Sequence, residues 1–185
     1  MSARGKYLPG PALGAHVEKD GERWALVIAR EFPHPPELVW AAITEPGQLA
    51  EWAPFDVNRS LTSPGPVSLS TVGGPTPQVA ESVVKRAEAP RLLEYGWGGN
   101  DLRFELKPTP GGTELKLWHN IDRRFIAWGA AGWHICLDVL AHLLSGAPLG
   151  RLVGPAALEF DWQRLNAEYA ALFGIQTPPF PGARS

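Results

Sequence analysis

The sequence predicts an α+β domain: a curved antiparallel sheet of about six or seven strands wrapped around a long C-terminal helix, with two short helices after the first strand. Three observations predict it. Residues 30–52 read as a strand end, a proline-marked corner and two short helices in succession. Turn signals then recur at near-regular spacing, with stretches of period-two apolar residues between them, which is the pattern of an antiparallel meander. From about Ala130 the apolar period changes from two to that of a helix. A curved sheet leaves one concave face to cover, and the C-terminal helix is the available cover.

Residues 1–21 are rich in turn formers (Pro9-Gly10-Pro11, Gly14, Asp20-Gly21) and read as an arm. Residues 22–174 read as one domain, and 175–185 as a loose tail. The stretch Trp24–Arg30 alternates as a strand. Pro36 suits the first position of a helix, where its missing N–H is not needed, and Glu37 faces the positive end of the helix dipole. Leu38, Val39 and Ile43 supply the buried stripe, with Trp40 beside it. Thr44 closes this helix, Pro46-Gly47 turns the chain, and Ala53-Pro54 stops the second helix after Trp52. Helices this short are marginal alone and must pack on something larger.

The turns of the meander are Ser63-Pro-Gly-Pro66, Gly73-Gly-Pro-Thr-Pro77, Ala89-Pro90, Gly98-Gly-Asn-Asp101 and Pro110-Gly-Gly112. Alternation assigns faces. Leu93, Tyr95 and Trp97 share one side of their strand, and Leu102, Phe104 and Leu106 one side of the next. In the last strand Leu115, Leu117, His119 and Ile121 face opposite Glu114, Lys116, Trp118 and Asn120. In the helix that follows, Trp133, Cys136, Leu137, Leu140 and Leu144 form an apolar side. His134, Asp138, Ala141, His142 and Ser145 form the other, expected to meet solvent. A second helix is expected over 155–173, with Leu158, Trp162, Leu165, Tyr169 and Leu172 as its stripe and Gly174 as its cap.

Length and composition narrow the function. A chain of 185 residues suffices for one domain with a substantial core. A net charge of −2 without cationic clusters argues against nucleic acid as a partner. The apolar region 125–144 is interrupted by Trp133-His134 and Asp138, so no membrane span is expected. The N-terminus lacks the apolar core of a signal peptide, and the single cysteine, Cys136, agrees with a reducing cytoplasm.

The segment 30–52 resembles the opening of the helix-grip fold of the START/polyketide-cyclase-like (SRPBCC) superfamily. Its Arg-ending strand, Pro-x-x-x-Val-Trp and Thr-x-Pro-x-x-Leu-x-x-Trp are most similar to the branch typified by the C-terminal domain of the activator of heat-shock-protein-ninety ATPase. Pro90–Trp97, Gly112–His119 and Gly132–Leu137 continue the pattern in the family's order, so that it spans roughly residues 22–173. The resemblance implies a cavity between sheet and helix.

The candidate ligand-binding residues are Trp52, Phe55, Tyr95, Trp97, Phe104, Leu117, His119, Trp133 and Leu137. Ligand pockets are mostly apolar and aromatic with few polar anchors, and eight tryptophans are a heavy aromatic load. The same rings would also serve as plain core. His119 is the one titratable side chain expected on the inner face of the last strand, and it is the candidate catalytic residue, with Arg30 or Tyr95 as helpers. It would orient a ligand, shuttle a proton, or simply bond a neighbouring core group. His134, Asp138 and His142 have spacing compatible with metal ligands, but an ordinary polar side explains them, and no metal or other cofactor is expected. Gly-x-Ser-x-Gly, His-Glu-x-x-His, phosphate-loop and dinucleotide fingerprints are missing.

The expected function is therefore a cytoplasmic protein binding a small apolar or aromatic molecule. One alternative is a cyclase- or hydratase-like enzyme acting on a polyketide-like or aromatic substrate. Another is a co-chaperone-like stress protein, implied only by the resemblance. Homodimerisation through an edge strand or the C-terminal helix is compatible with the pattern.

Overall fold

The computed structural model of the protein describes residues 3–179; residues 180–185 of the expected tail lie outside them. One antiparallel sheet of eight strands has the order β1-β2-β8-β7-β6-β5-β4-β3. Its strands are β1 (Ala15–Asp20), β2 (Arg23–Phe32), β3 (Phe55–Val57), β4 (Gly65–Thr71), β5 (Gln78–Glu88), β6 (Leu92–Trp97), β7 (Asn100–Thr109) and β8 (Gly112–Asn120). Helices α1 (Pro36–Thr44) and α2 (Pro46–Trp52) join β2 to β3, and α3 (Ile126–Leu144) fills the concave face. The chain is α+β with the helix-grip architecture. It has eight strands where six or seven were expected. The N-terminal arm supplies β1, which pairs along its whole length with β2. Its sequence, Ala-His-Val-Glu-Lys-Asp, is charged as edge strands often are, and so lacks a clear apolar alternation.

Local chemistry accounts for the two short helices. Pro36 and Pro46 each stand at a first helical turn, where no N–H is needed. The Thr44 hydroxyl donates to the Trp40 carbonyl at 2.7 Å, turning inward a group that would otherwise be buried without a partner. The Trp52 indole N–H donates to the Ala42 carbonyl at 2.9 Å and ties α2 to α1. Val39, Trp40 and Ile43 are buried, but Leu38, expected beside them, is 53% exposed, because the helix is too short for a wide apolar face.

The alternation in β6–β8 is observed as expected. In β8 Leu115, Leu117 and His119 are buried between half-exposed neighbours. Their cross-strand partners include Leu26 and Leu102, both opposite His119.

Helix α3 starts earlier than expected, at Ile126, and by length and composition it would pass as a membrane span. Within this fold it is the central core helix, with Trp133, Ile135, Leu137 and Leu140 buried. Its polar side is covered around His134, contrary to expectation, while Ser145 at its end is exposed. His134 is only 3% exposed, because the N-terminal segment and α5 (Trp162–Phe173) lie over that side. The Tyr7 hydroxyl donates to Asp138 at 2.7 Å. Arg30 donates to the Tyr169 oxygen at 3.3 Å, and the Tyr169 hydroxyl and Arg30 both contact His134 Nδ1, at 2.8 and 3.2 Å. Arginine only donates, so His134 Nδ1 is the acceptor and the ring's own proton sits on Nε2, 3.5 Å from Asp138.

The single helix expected over 155–173 is two. A short α4 (Pro155–Leu158) ends before Asp161, whose left-handed φ of 57° breaks the helical path. Trp162, Leu165 and Tyr169 are buried as the stripe required, Leu172 is exposed, and Gly174 caps α5 in the left-handed conformation.

Candidate functional site

A cavity of about 420 Å³ lies at one end of the concave face, between the first half of α3, the end of β8 and the segment 152–158. Five aromatic residues line it: Trp97, Phe125, Trp128, Trp133 and Trp162. Its wall also includes Thr71, Val72, His119, Ile121, Cys136 and Leu152, and it contains no charged side chain. Such a lining favours a neutral, largely apolar guest, since burying an unpaired charge costs too much.

The space is there because the helix leaves it there. Gly129, Gly132 and Cys136, at helical spacing, all lie on the cavity. A Cβ placed on Gly132 would meet only the Trp162 indole nitrogen, at 4.0 Å. Glycine inside a helix costs about 0.5–1 kcal/mol relative to alanine. Gly132 leaves that volume to the cavity, whereas a Cβ on Gly129 would overlap the Ile121 side chain, so Gly129 makes room for that residue. One wall is drawn tight by backbone. Gly73, between β4 and β5, abuts Gly154, just before α4, and a Cβ on Gly154 would overlap the Gly73 carbonyl. Both glycines have positive φ, so side chains are disfavoured there twice over.

Of the residues expected to bind a ligand, Trp97, His119 and Trp133 line this cavity. Trp52, Phe55, Tyr95, Phe104, Leu117 and Leu137 do not. They are fully buried in the adjoining core, with Phe55 edge-on to Tyr95 at 6.0 Å and Tyr95 stacked on Phe104 at 6.2 Å. Trp133 stands between the two zones, contacting Trp52 and Phe104 on one side and Trp97 and His119 on the other. Phe125, Trp128, Trp162 and the two helix glycines were not foreseen from sequence. The glycines inside an otherwise apolar helix are the signal that could have found the cavity.

His119 is the buried polar centre of the site, 6% exposed. Trp97 stacks on its ring with centroids 5.4 Å apart and planes at 28°. The Trp133 indole N–H donates to His119 Nδ1 at 3.1 Å. Burial pushes the imidazole down to about 3, so it is neutral at physiological pH. The Trp97 indole N–H is used elsewhere, donating to Thr71 Oγ1 at 2.8 Å. Burial pushes the Cys136 thiol up to about 12, so it is not a ready nucleophile.

The other candidates are occupied in the structural network on the far side of α3. Arg30 bonds His134, Tyr169 and the Leu13 carbonyl. His142 meets the Tyr7 ring edge-on at 6.0 Å. Among the described residues no group of three or more His, Cys, Asp or Glu side chains is arranged to hold a metal ion.

Several solved structures share the architecture. A conserved protein of unknown function from Enterococcus faecalis superposes with a TM-score of 0.66 at 15% identity, over 85% of this chain and 89% of its own. CalU16 from Micromonospora echinospora gives 0.62 at 22% identity, over 90% and 98%. An AHSA1-like protein from Aeromonas hydrophila gives 0.56 at 21%, over 66% and 93%. These likenesses establish the fold. No curated protein matches the chain. The profile of the family described as polyketide cyclase/dehydrase and lipid transport matches residues 23–143, well over half of the chain, and the protein belongs to that family, within the SRPBCC superfamily that its sequence resembles.

Proposed function

We propose that the protein binds a small, neutral, apolar or aromatic molecule in the cavity between β8, α3 and α4. One observation carries this reading: a cavity of about 420 Å³, walled by aromatic rings and free of charged side chains, beside the fully buried rings of Phe55, Tyr95 and Phe104. Its size falls within the range of about 300–1,000 Å³ typical of small-molecule sites. The family's association with lipid transport and polyketide chemistry supports the same class of guest. A cytoplasmic location is part of the proposal, supported by the single, unpaired and buried thiol.

Binding is favoured over catalysis by the chemistry of His119. A general base works best with a pKa near the operating pH, and burial holds this imidazole near 3. Neutral and wedged between two indoles, it is suited to recognising a guest rather than to taking its proton.

N-phenyl-1-naphthylamine, a neutral dye that brightens in apolar surroundings, tests the reading. It is expected to bind saturably and to quench the emission of the cavity tryptophans. Gly132→Leu, which places a side chain where Gly132 leaves open space, is expected to weaken binding at least tenfold while the protein stays folded. Absence of saturable binding, or equal binding by the leucine variant, would sink the proposal.

A further inference from the structure

The polar end of the guest can be read from the hydrogen bonds of His119. Indole nitrogen can only donate. The bond from Trp133 Nε1 to His119 Nδ1 at 3.1 Å therefore makes Nδ1 the acceptor. A neutral imidazole carries one proton, so it must sit on Nε2. That Nε2–H is buried, and among the described residues it has no hydrogen-bond partner. Stacking against Trp97 and the edge contact with Trp133 at 6.0 Å keep the ring from swinging to find one.

Buried polar groups are normally paired, and His119 belongs to the cavity wall. Thr71, also on the wall, points the same way. Its oxygen already accepts the Trp97 indole N–H, which leaves it a proton to donate and one further lone pair. The buried His119 Nε2–H is thus a donor that lacks an acceptor, and the Thr71 hydroxyl can add a second donor beside it.

Resting on the binding reading above, we propose that the cavity selects aromatic guests bearing a carbonyl-type oxygen, which accepts the His119 Nε2–H. Trp133 is then a positioning residue: its indole N–H holds the imidazole in the tautomer that presents Nε2–H. The oxygen lodges at the His119 end, and the rest of the guest lies along the indoles of Trp97, Trp128 and Trp162.

Fluorene and 9-fluorenone, near-identical in shape and differing by CH₂ against C=O, make the test, each displacing bound N-phenyl-1-naphthylamine. Fluorenone is expected to compete about three- to tenfold better, the range for one buried hydrogen bond. His119→Phe is expected to bring the ratio to about one by weakening fluorenone alone. Trp133→Phe, which keeps a ring but lacks the N–H, is expected to shrink it by freeing the tautomer. A wild-type ratio near one, as a resident water on Nε2 would give, overturns the inference while dye binding leaves the cavity reading intact. Failure of the dye itself instead sinks the binding reading. Independently of any variant's folding, a two-bond ¹H–¹⁵N correlation spectrum of the wild type at pH 7 should show the Nε2–H tautomer at His119. The Nδ1–H form or a charged ring overturns the proposal.

Discussion

The two ends of the concave face share one sheet and one helix, yet one is filled and the other is open. At the filled end Phe55, Tyr95, Phe104 and Leu117 interlock beneath α3, all without solvent exposure. At the open end the same helix presents Gly129, Gly132 and Cys136, and the aromatic rings stand around a space instead of occupying it. The strands of both ends alternate alike, so the difference lies in the volume that α3 contributes. The cavity owes part of its room to the side chain withheld at Gly132, while the same half of the helix sends Trp128 and Trp133 to its wall. Trp133 is the partition between the halves.

The largest effect that would break this contrast is expected at the filled end. Phe104→Ala should cost about 3–5 kcal/mol, as deletion of a buried ring does in a rigid core, measured by denaturant unfolding. It should leave the fluorenone-to-fluorene ratio unchanged, and a lost preference would mean that the two ends are coupled.

The next effect is pH-dependent and belongs to the open end. His119 is held near 3 in the folded protein against an ordinary 6.5. Between those values the unfolded chain binds a proton that the folded one refuses. The stability is therefore complete above about pH 6.5 and is lost as pH falls toward 3, by up to about 1.4 kcal/mol per pH unit. Unfolding free energies from pH 7 to 4 should fall less steeply for His119→Phe than for the wild type. Parallel curves would mean that the ring is already charged or solvated.

Smaller effects sharpen the comparison. Trp97→Phe removes the hydrogen bond to Thr71 and should cost about 0.5–1.5 kcal/mol, readable as a lower unfolding midpoint. Gly132→Ala should add about 0.5–1 kcal/mol, because it removes a flexible residue from a helix and its Cβ meets nothing closer than 4.0 Å. A destabilising alanine would show that the space is tighter than the structure has it.

Much of the fold was legible because its signals are local. Pro36, Thr44, Pro46 and Ala53-Pro54 punctuate α1 and α2 within a few residues of sequence. Helix α1 begins and ends where they place it and α2 ends where they place it, while Pro46-Gly47, expected as a turn, forms the first residues of α2. In β8 strict alternation fixes which side chains turn inward, and so puts His119 on the concave face. What was not legible depends on partners far along the chain. Periodicity puts His134 and Asp138 on one side of α3 but does not say what covers that side. The cover comes from Tyr7, 131 residues from Asp138, and from Tyr169. The same limit applies to the site. The inward faces of Trp97, His119 and Trp133 follow from local pattern. Which inward rings meet a space, and that Trp128 and Trp162 join them, depends on how α4 and α5 return to the helix.

β2 meets its partners late. It lies in the sheet between β1, its sequence neighbour, and β8, the last strand of the meander. A ribosome adding about 5–20 residues per second needs several seconds after finishing Phe32 to deliver Asn120, and longer for α3. Through that interval Leu26 and Ile28, completely buried in the finished protein, have only the β1–β2 hairpin to rest in, and an isolated hairpin is at best marginally stable. The nascent chain thus carries an apolar, incompletely paired strand for about half of its synthesis, and its assembly is gated by the arrival of the C-terminal half.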